Sequence, residues 1–283
     1  MRPRIGVCSW SLRPGSVSEL VDGLRSVGIS YVQLALDPIR RGEWDERATR
    51  DALAIAGITI VSGMMGMKGE DYSTLESIRR TGGVRPTETW EANLTAARAN
   101  AAIAARLGIS LVTFHAGFLP EDPRDAERAA MVSRLSDMCR VFANAGVRTA
   151  FETGQESAVT LSGVLDELVA RVGLISSGVN FDPANMILYA MGDPVESLQR
   201  LAPRVLQIHV KDAVPTTTPG TWGREVVAGT GAVDWRGFFA AYRTAGLRCD
   251  VVIEREAGPM RVADIIAARR LIESHFPREA GAM

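Results

Sequence analysis

Four short apolar runs each end on a residue that can bind a divalent metal: Ala-Phe-Glu152, Asn-Phe-Asp182, Gln-Ile-His209 and Val-Ile-Glu254. Three carboxylates and one imidazole form an oxygen-dominated donor set. That chemistry favours Mn²⁺, Mg²⁺ or Co²⁺ over a structural zinc, which would recruit more Cys or His. A carboxylate at a strand end is also an ordinary cap for the helix that follows, so the pattern carries weight only as a set of four. If the runs are parallel strands of one barrel, their C-terminal ends converge and all four side chains can share one ion.

The elements needed to position them are legible. A helix-ending glycine followed at once by an aliphatic residue recurs as Gly28-Ile29, Gly57-Ile58, Gly108-Ile109, Gly146-Val147 and Gly246-Leu247. Glycine closes a helix in the left-handed conformation without steric cost, and the next residue starts an extended run. Strands are expected at Ile5–Trp10, Tyr31–Leu36, Ile58–Met64, Leu111–His115, Arg148–Glu152, Gly178–Asp182, Val205–Val210 and Asp250–Glu254. Most are continuously apolar, as suits parallel strands covered on both faces.

Helical signals fill the gaps. Trp90, Leu94, Ala97, Ala101 and Ala104 form a stripe, Asp193-Pro194 opens one helix, and Asp234 caps another carrying Phe238, Phe239 and Tyr242. The expected fold is α/β, a (β/α)₈ TIM barrel formed by one domain over residues 1–283. A doubly wound sheet is the alternative, but Ser9 to Ser16 lacks the G-x-G-x-x-G fingerprint. Two long connections, Met65–Pro86 and Ala213–Val233, would rise over the C-terminal face and read as lids.

With 32 basic against 33 acidic residues and a formal net charge of −1, no global field draws the chain to nucleic acid or anionic lipid. A small, neutral or mildly charged substrate fits better, namely a carbohydrate or polyol-derived compound. Cys8, Cys139 and Cys249 lack metal-type spacing and suit a reduced cytoplasm. The N-terminal residues lack the apolar stretch of a signal peptide, and no run approaches the roughly 20 apolar residues of a membrane span. A homo-oligomer is compatible with this composition.

The stretches Phe-Glu152-Thr-Gly-Gln155-Glu, Phe-Asp182-Pro-Ala-Asn185, His209-Val-Lys211-Asp212 and Ile-Glu254-Arg-Glu256 resemble the sugar phosphate isomerase/epimerase family, with its xylose isomerase-like barrel. The resemblance implies that Glu152, Asp182, His209 and Glu254 hold one divalent cation. It also implies that Glu152 and Glu254 move protons on opposite faces of a sugar, through a metal-stabilised enediolate. Asn185 departs from the pattern, standing where many epimerase-type members carry a substrate-touching histidine. An amide still hydrogen-bonds a hydroxyl but exchanges no proton near neutral pH.

Further substrate-binding candidates are His115, Lys211 and Trp222. His115 is either a pocket residue or a satisfied core imidazole. Lys211 shares a strand face with His209 and would steady an enediolate or an acid group, or else pair with Asp182 or Asp212. Trp222 is a lid aromatic over the sugar or a lid anchor. Glu156 and Glu256 read as solvated loop charges or as supports for the ligands. Arg79, Arg80 and Arg85 could greet a phosphate or simply be wet surface, and His275 reads as structural or exposed.

The leading expectation is a metal-dependent isomerase or epimerase of a small polyhydroxylated carbonyl compound. A lyase acting on an inosose-like ketone would use the same site. A DNA-repair endonuclease would need many more than three histidines and a basic surface. A non-catalytic sugar-binding protein would not need both glutamates.

Overall fold

The computed structural model describes residues 2–172 and 177–277. Among these, the strands are β1 (Ile5–Cys8), β2 (Tyr31–Ala35), β3 (Thr59–Met64), β4 (Leu111–Phe114), β5 (Arg148–Glu152), β6 (Ser177–Phe181), β7 (Val205–Val210), β8 (Asp212–Val214), β9 (Arg224–Val226) and β10 (Asp250–Ile253). Eight of them close a parallel barrel in chain order, with β10 completing the ring between β7 and β1. Strands β8 and β9 form a separate antiparallel pair above it.

The helices are α1 (Val17–Val27), α2 (Asp37–Arg40), α3 (Glu46–Ile55), α4 (Leu75–Thr81), α5 (Thr87–Arg106), α6 (Ala126–Asn144), α7 (Ala158–Val172), α8 (Pro183–Leu188), α9 (Pro194–Leu201), α10 (Trp235–Thr244) and α11 (Arg261–His275). No helix among the described residues is long and apolar enough to cross a membrane.

Local chemistry explains these boundaries. All five glycines of the helix-to-strand joins carry φ between 64° and 73°, where a side chain would be strained. Asp193 accepts from the backbone amides of Val195 and Glu196 to start α9, and Asp234 accepts from Gly237 to start α10. The main core lies between barrel and helices. Phe114 and Phe151 of the barrel pack edge to face at 5.3 Å, Phe114 stacks on Phe142 of α6, and Phe181 meets Phe238 of α10. All five rings are fully buried, and each is worth about 1.5–3 kcal/mol of transfer free energy.

The interior of the barrel is polar, which the apolar reading of the strands did not anticipate. Ser62 Oγ donates to Gln207 Oε1 at 2.5 Å, Gln207 Nε2 donates to Gln33 Oε1 at 3.0 Å, and Gln33 Nε2 donates to Thr113 Oγ1 at 2.8 Å. These bonds join strands that are not neighbours in the sheet, so they cross the barrel lumen. A buried amide left unpaired costs about 1–3 kcal/mol, and the network meets that demand directly beneath the strand ends.

Five C-terminal strand ends differ from expectation, and β2 and β10 each stop one residue early, at Ala35 and Ile253. β1 stops at Cys8 and a 3₁₀ turn, Ser9–Leu12, carries Trp10 over the barrel mouth. β4 stops before His115, and β6 stops before Asp182 because Asp182 is already the N-cap of α8. Both long connections hold structure of their own, α4 in the first and the β8–β9 hairpin in the second. Asp212 anchors the second: its carboxylate accepts from the amides of Gly229, Gly231 and Val233 and from Trp235 Nε1.

Candidate metal and substrate site

Glu152, Asp182, His209 and Glu254 meet at the C-terminal mouth, each offering a donor atom within 4.8 Å of the others. None is more than 3% exposed. His209 Nδ1 lies 3.6 Å from Glu152 Oε1, 3.8 Å from Asp182 Oδ2 and 3.4 Å from Glu254 Oε2. The other ring nitrogen, Nε2, is 2.7 Å from Gln33 Oε1. Donation from Nε2 to that oxygen would leave Nδ1 facing the carboxylates.

The carboxylates are held as firmly. Glu152 accepts from Asn185 Nδ2 at 2.9 Å and from Asn180 Nδ2 at 3.3 Å. Glu254 accepts from Trp10 Nε1 at 2.9 Å and from Lys211 Nζ at 2.6 Å. Asp182 divides its labour between the two readings of a strand-end acid. Its Oδ1 caps α8 by accepting from the amides of Ala184 and Asn185, while its buried Oδ2 has no hydrogen-bond donor. Lys211 Nζ is 3.1 Å from that oxygen but out of line for a hydrogen bond. A buried carboxylate oxygen without a donor, facing an imidazole nitrogen and two further carboxylates, fits a divalent cation.

Electrostatics agree with that fit. Burial opposes ionisation of Glu152, yet His115, His209 and Lys211 hold its pKa below the ordinary value. Burial likewise opposes ionisation of Asp182, and Lys211 and His209 depress its pKa strongly. Burial would lower the His209 pKa, but Cys8, Glu254, Glu152 and Asp182 raise it well above the histidine value. Burial itself pushes the Cys8 thiol up to about 12, so Cys8 is uncharged near neutral pH and the carboxylates carry the effect. Lys211, despite burial, is held strongly cationic by Asp182, Glu254, Glu256 and Glu152. The site is a well of negative potential partly filled by protons, and metal binding would displace the one on His209 Nδ1.

Above the cluster opens a cavity of about 260 Å³, lined by Glu152 and Glu254 together with His115, Asn185, Lys211 and Trp222. All four residues expected to touch substrate therefore face one space. Tyr72, Tyr189 and Glu256 also line it, none of them singled out from the sequence as a substrate contact. Trp222 meets Tyr189 edge to face at 5.0 Å, and Tyr189 meets Phe118 at 5.6 Å.

Residues 21–275 match the xylose isomerase-like TIM barrel family. The chain belongs to that family. Among solved structures it is similar to a xylose isomerase domain protein from Planctomyces limnophilus, at 29% identity and TM-score 0.83 over 97% of this chain and 96% of the other. It also shares its fold with a D-allulose 3-epimerase from Methylomonas sp. solved in complex with D-allulose, at 17% identity and TM-score 0.71 over 97% of each chain. A curated relative, the uncharacterized protein YihM of Escherichia coli K12, is 30% identical over a 145-residue alignment that covers 48% of this chain and 40% of that protein.

Within this family barrel, the structure decides between the alternatives the sequence leaves open. Lys211 pairs with Asp182, Glu254 and Glu256, while Asp212 turns away to hold the hairpin connection. His115 is no satisfied core imidazole: its Nδ1 has no hydrogen-bond partner, and its Nε2 stands 3.8 Å from Glu152 Oε1. The arginine cluster does not line the cavity. Arg85 is held by Glu127 at 2.6 Å, Arg79 lies over the Phe118 ring and Arg80 is 3.9 Å from Glu76. His275 packs on Phe239 at the end of α11. Glu256 is exposed but not free, with Oε2 3.1 Å from Lys211 Nζ.

Glu156 differs most. It is 3% exposed, and neither carboxylate oxygen has a hydrogen-bond partner, so it is neither solvated nor bonded to a ligand residue. Burial pushes its pKa up to about 8. In the unfolded chain the group ionises near the ordinary glutamate value of ~4.3. Between that value and pH 8 the folded state holds the extra proton, so this residue's contribution to stability falls as pH rises. Glu156→Gln removes the titration. The variant is expected to gain roughly 2–4 kcal/mol in stability on wild type between pH 5 and pH 8. Thermal denaturation of both proteins from pH 5 to 9 checks this, and parallel curves would refute it.

Proposed function

We propose that this chain is a divalent-metal-dependent isomerase or epimerase of a small polyhydroxylated ketone, working by proton transfer between Glu152 and Glu254. The observation that supports this most is the placement of two buried glutamates on one cavity, from strands separated by β6 and β7, with His209 between them. Glu152, Asp182, His209 and Glu254 would hold the ion, with Mn²⁺, Mg²⁺ or Co²⁺ suited to three carboxylates and one imidazole. Bound there, it would supply Lewis-acid polarisation of a carbonyl and an adjacent hydroxyl, which acidifies the neighbouring C–H.

Glu152 is the group that takes this proton from one face, its pKa kept low by His115, His209 and Lys211 so that it is ionised before the substrate arrives. Glu254 returns a proton on the other face, steered by the Trp10 indole on one oxygen and the Lys211 ammonium on the other. His115 and Asn185 hydrogen-bond substrate hydroxyls, and the Trp222–Tyr189 pair excludes water from the carbanionic carbon. A cavity of about 260 Å³ lies below the ~300–1,000 Å³ usual for drug-sized ligands, which suits a single small sugar. Three free thiols suit a reducing cytoplasm.

The unpartnered Nδ1 of His115 supports a second reading, loss of water from an inosose-like ketone, because an imidazole at the cavity can protonate a departing β-hydroxyl. One experiment separates the two. Protein loaded with Mn²⁺ is incubated in heavy water with free ketoses and inosose-like ketones, with a chelated control. Solvent deuterium on the carbon beside the carbonyl, with carbon skeleton and hydroxyls intact, is the expected result. Loss of water marks the lyase, and transfer of hydrogen between carbons without solvent label would refute the proton-transfer mechanism.

A further inference from the structure

Among the described residues, Lys211 is the only lysine or arginine on the cavity wall, and it is surrounded by carboxylates. Its ammonium donates to Glu254 at 2.6 Å and to Glu256 at 3.1 Å, and it is ion-paired without a hydrogen bond to Asp182 Oδ2 at 3.1 Å. Glu254 and Asp182 belong to the buried cluster. The Glu256 side chain, by contrast, is 54% exposed and approaches the ammonium from the solvent side. Lys211 and Glu256 line the same cavity, so an anion that reaches the ammonium there meets the Glu256 carboxylate beside it. Four carboxylates surround the site, and even with Lys211 charged and a divalent ion bound they leave negative charge in excess. The arginines within the first long connection, Arg79, Arg80 and Arg85, do not line the cavity.

We propose that Glu256 withholds the Lys211 ammonium from substrate and so restricts the site to uncharged polyhydroxylated ketones, excluding their phosphate and carboxylate derivatives. This rests on the reaction proposed above for the same site. An uncharged polyol pays no penalty in this field and meets acceptors suited to its hydroxyls. A phosphate brought to the cavity faces Glu256 and Glu254 before it reaches any free cation, and like-charge juxtaposition of this kind costs orders of magnitude in affinity. Glu256→Gln leaves Lys211 bonded to Glu254 and paired with Asp182 while removing the negative charge that an incoming anion meets beside the ammonium.

The test uses the full chain loaded with Mn²⁺, in wild-type and Glu256→Gln forms. The probes are matched pairs, D-fructose with D-fructose 6-phosphate and L-ribulose with L-ribulose 5-phosphate. Dissociation constants are read from tryptophan fluorescence, to which Trp222 on the cavity wall contributes, alongside turnover. In wild type, each free ketose is expected to bind at least ~30-fold more tightly than its phosphate, and Glu256→Gln is expected to cut that ratio to less than ~3-fold by strengthening phosphate binding. A wild-type preference for either phosphate, an unchanged ratio in the variant, or no binding of any member would overturn the proposal. Selective binding of the free ketoses without metal-dependent turnover would instead refute the proposed reaction and leave the charge selection standing.

Discussion

An Asp182→Ala or His209→Ala protein, purified without chelator, is expected to lose its divalent ion almost entirely, against about one ion per chain in wild type. The size of the effect follows from the geometry. Removing a group that merely orients a metal ligand costs about 10–100-fold in affinity, so removing a ligand itself should cost at least ~10²-fold. Asp182 Oδ2 is the buried oxygen that lacks a donor, and His209 Nδ1 is the atom from which the three carboxylates lie 3.4–3.8 Å away. Neither can be replaced by a neighbour without dismantling a cap or a strand end. Stability should report the same event. A ligand present at 100 times its dissociation constant adds about 2.7 kcal/mol to the folded state, so chelator should lower the wild-type Tm and leave both variants unmoved. Full metal content in either variant by elemental analysis would remove the cluster from consideration as the metal site.

Much of this arrangement was legible because it follows from local rules. The Gly28, Gly57, Gly108, Gly146 and Gly246 joins mark helix ends by a steric requirement that acts within two or three residues, and all five have the positive φ they imply. The four strand-end donors were readable because a parallel barrel gathers strand ends automatically. Asp182 exposes the limit of such reading, since cap and cluster member are not alternatives when a carboxylate has two oxygens.

What was missed depends on the third dimension. Trp10 reaches Glu254 across 244 residues of sequence, and Arg85 finds Glu127 across 42, with no spacing to announce either. One signal, read in the sequence for His209 and Lys211 alone, extends further. Asn180 and Asp182, and Gln207, His209 and Lys211, stand at every second position of strands that are otherwise apolar, which is the alternation of residues turned toward one face. Read that way, the polar lumen and the support beneath His209 could have been foreseen. The burial of Glu156 could not, because a carboxylate in a strand-to-helix loop carries no local mark of the packing that covers it.

The second large effect concerns chemistry rather than binding. Glu152→Gln and Glu254→Gln are each expected to lower turnover by about 10²–10⁴, the usual contribution of a positioned general acid or base. The amide oxygen remains a possible ligand, so metal content should fall less than in the alanine variants above, and rates are to be compared at matched metal occupancy. At Glu152 the amide must also keep company with Asn185 Nδ2 and Asn180 Nδ2, both of which donate to the native carboxylate. Glu152→Gln therefore retains an acceptor for one donor and loses the other. At Glu254, Trp10 Nε1 and Lys211 Nζ lose part of the charge that now holds them. If the two residues serve opposite faces of one substrate, the variants should differ in which half of the exchange survives. With only Glu152 intact, solvent deuterium should still wash into the starting sugar while inversion fails, and with only Glu254 intact the same should hold for the product epimer in the reverse direction. Near wild-type turnover in both variants would reduce the two glutamates to ligands and end the acid/base assignment.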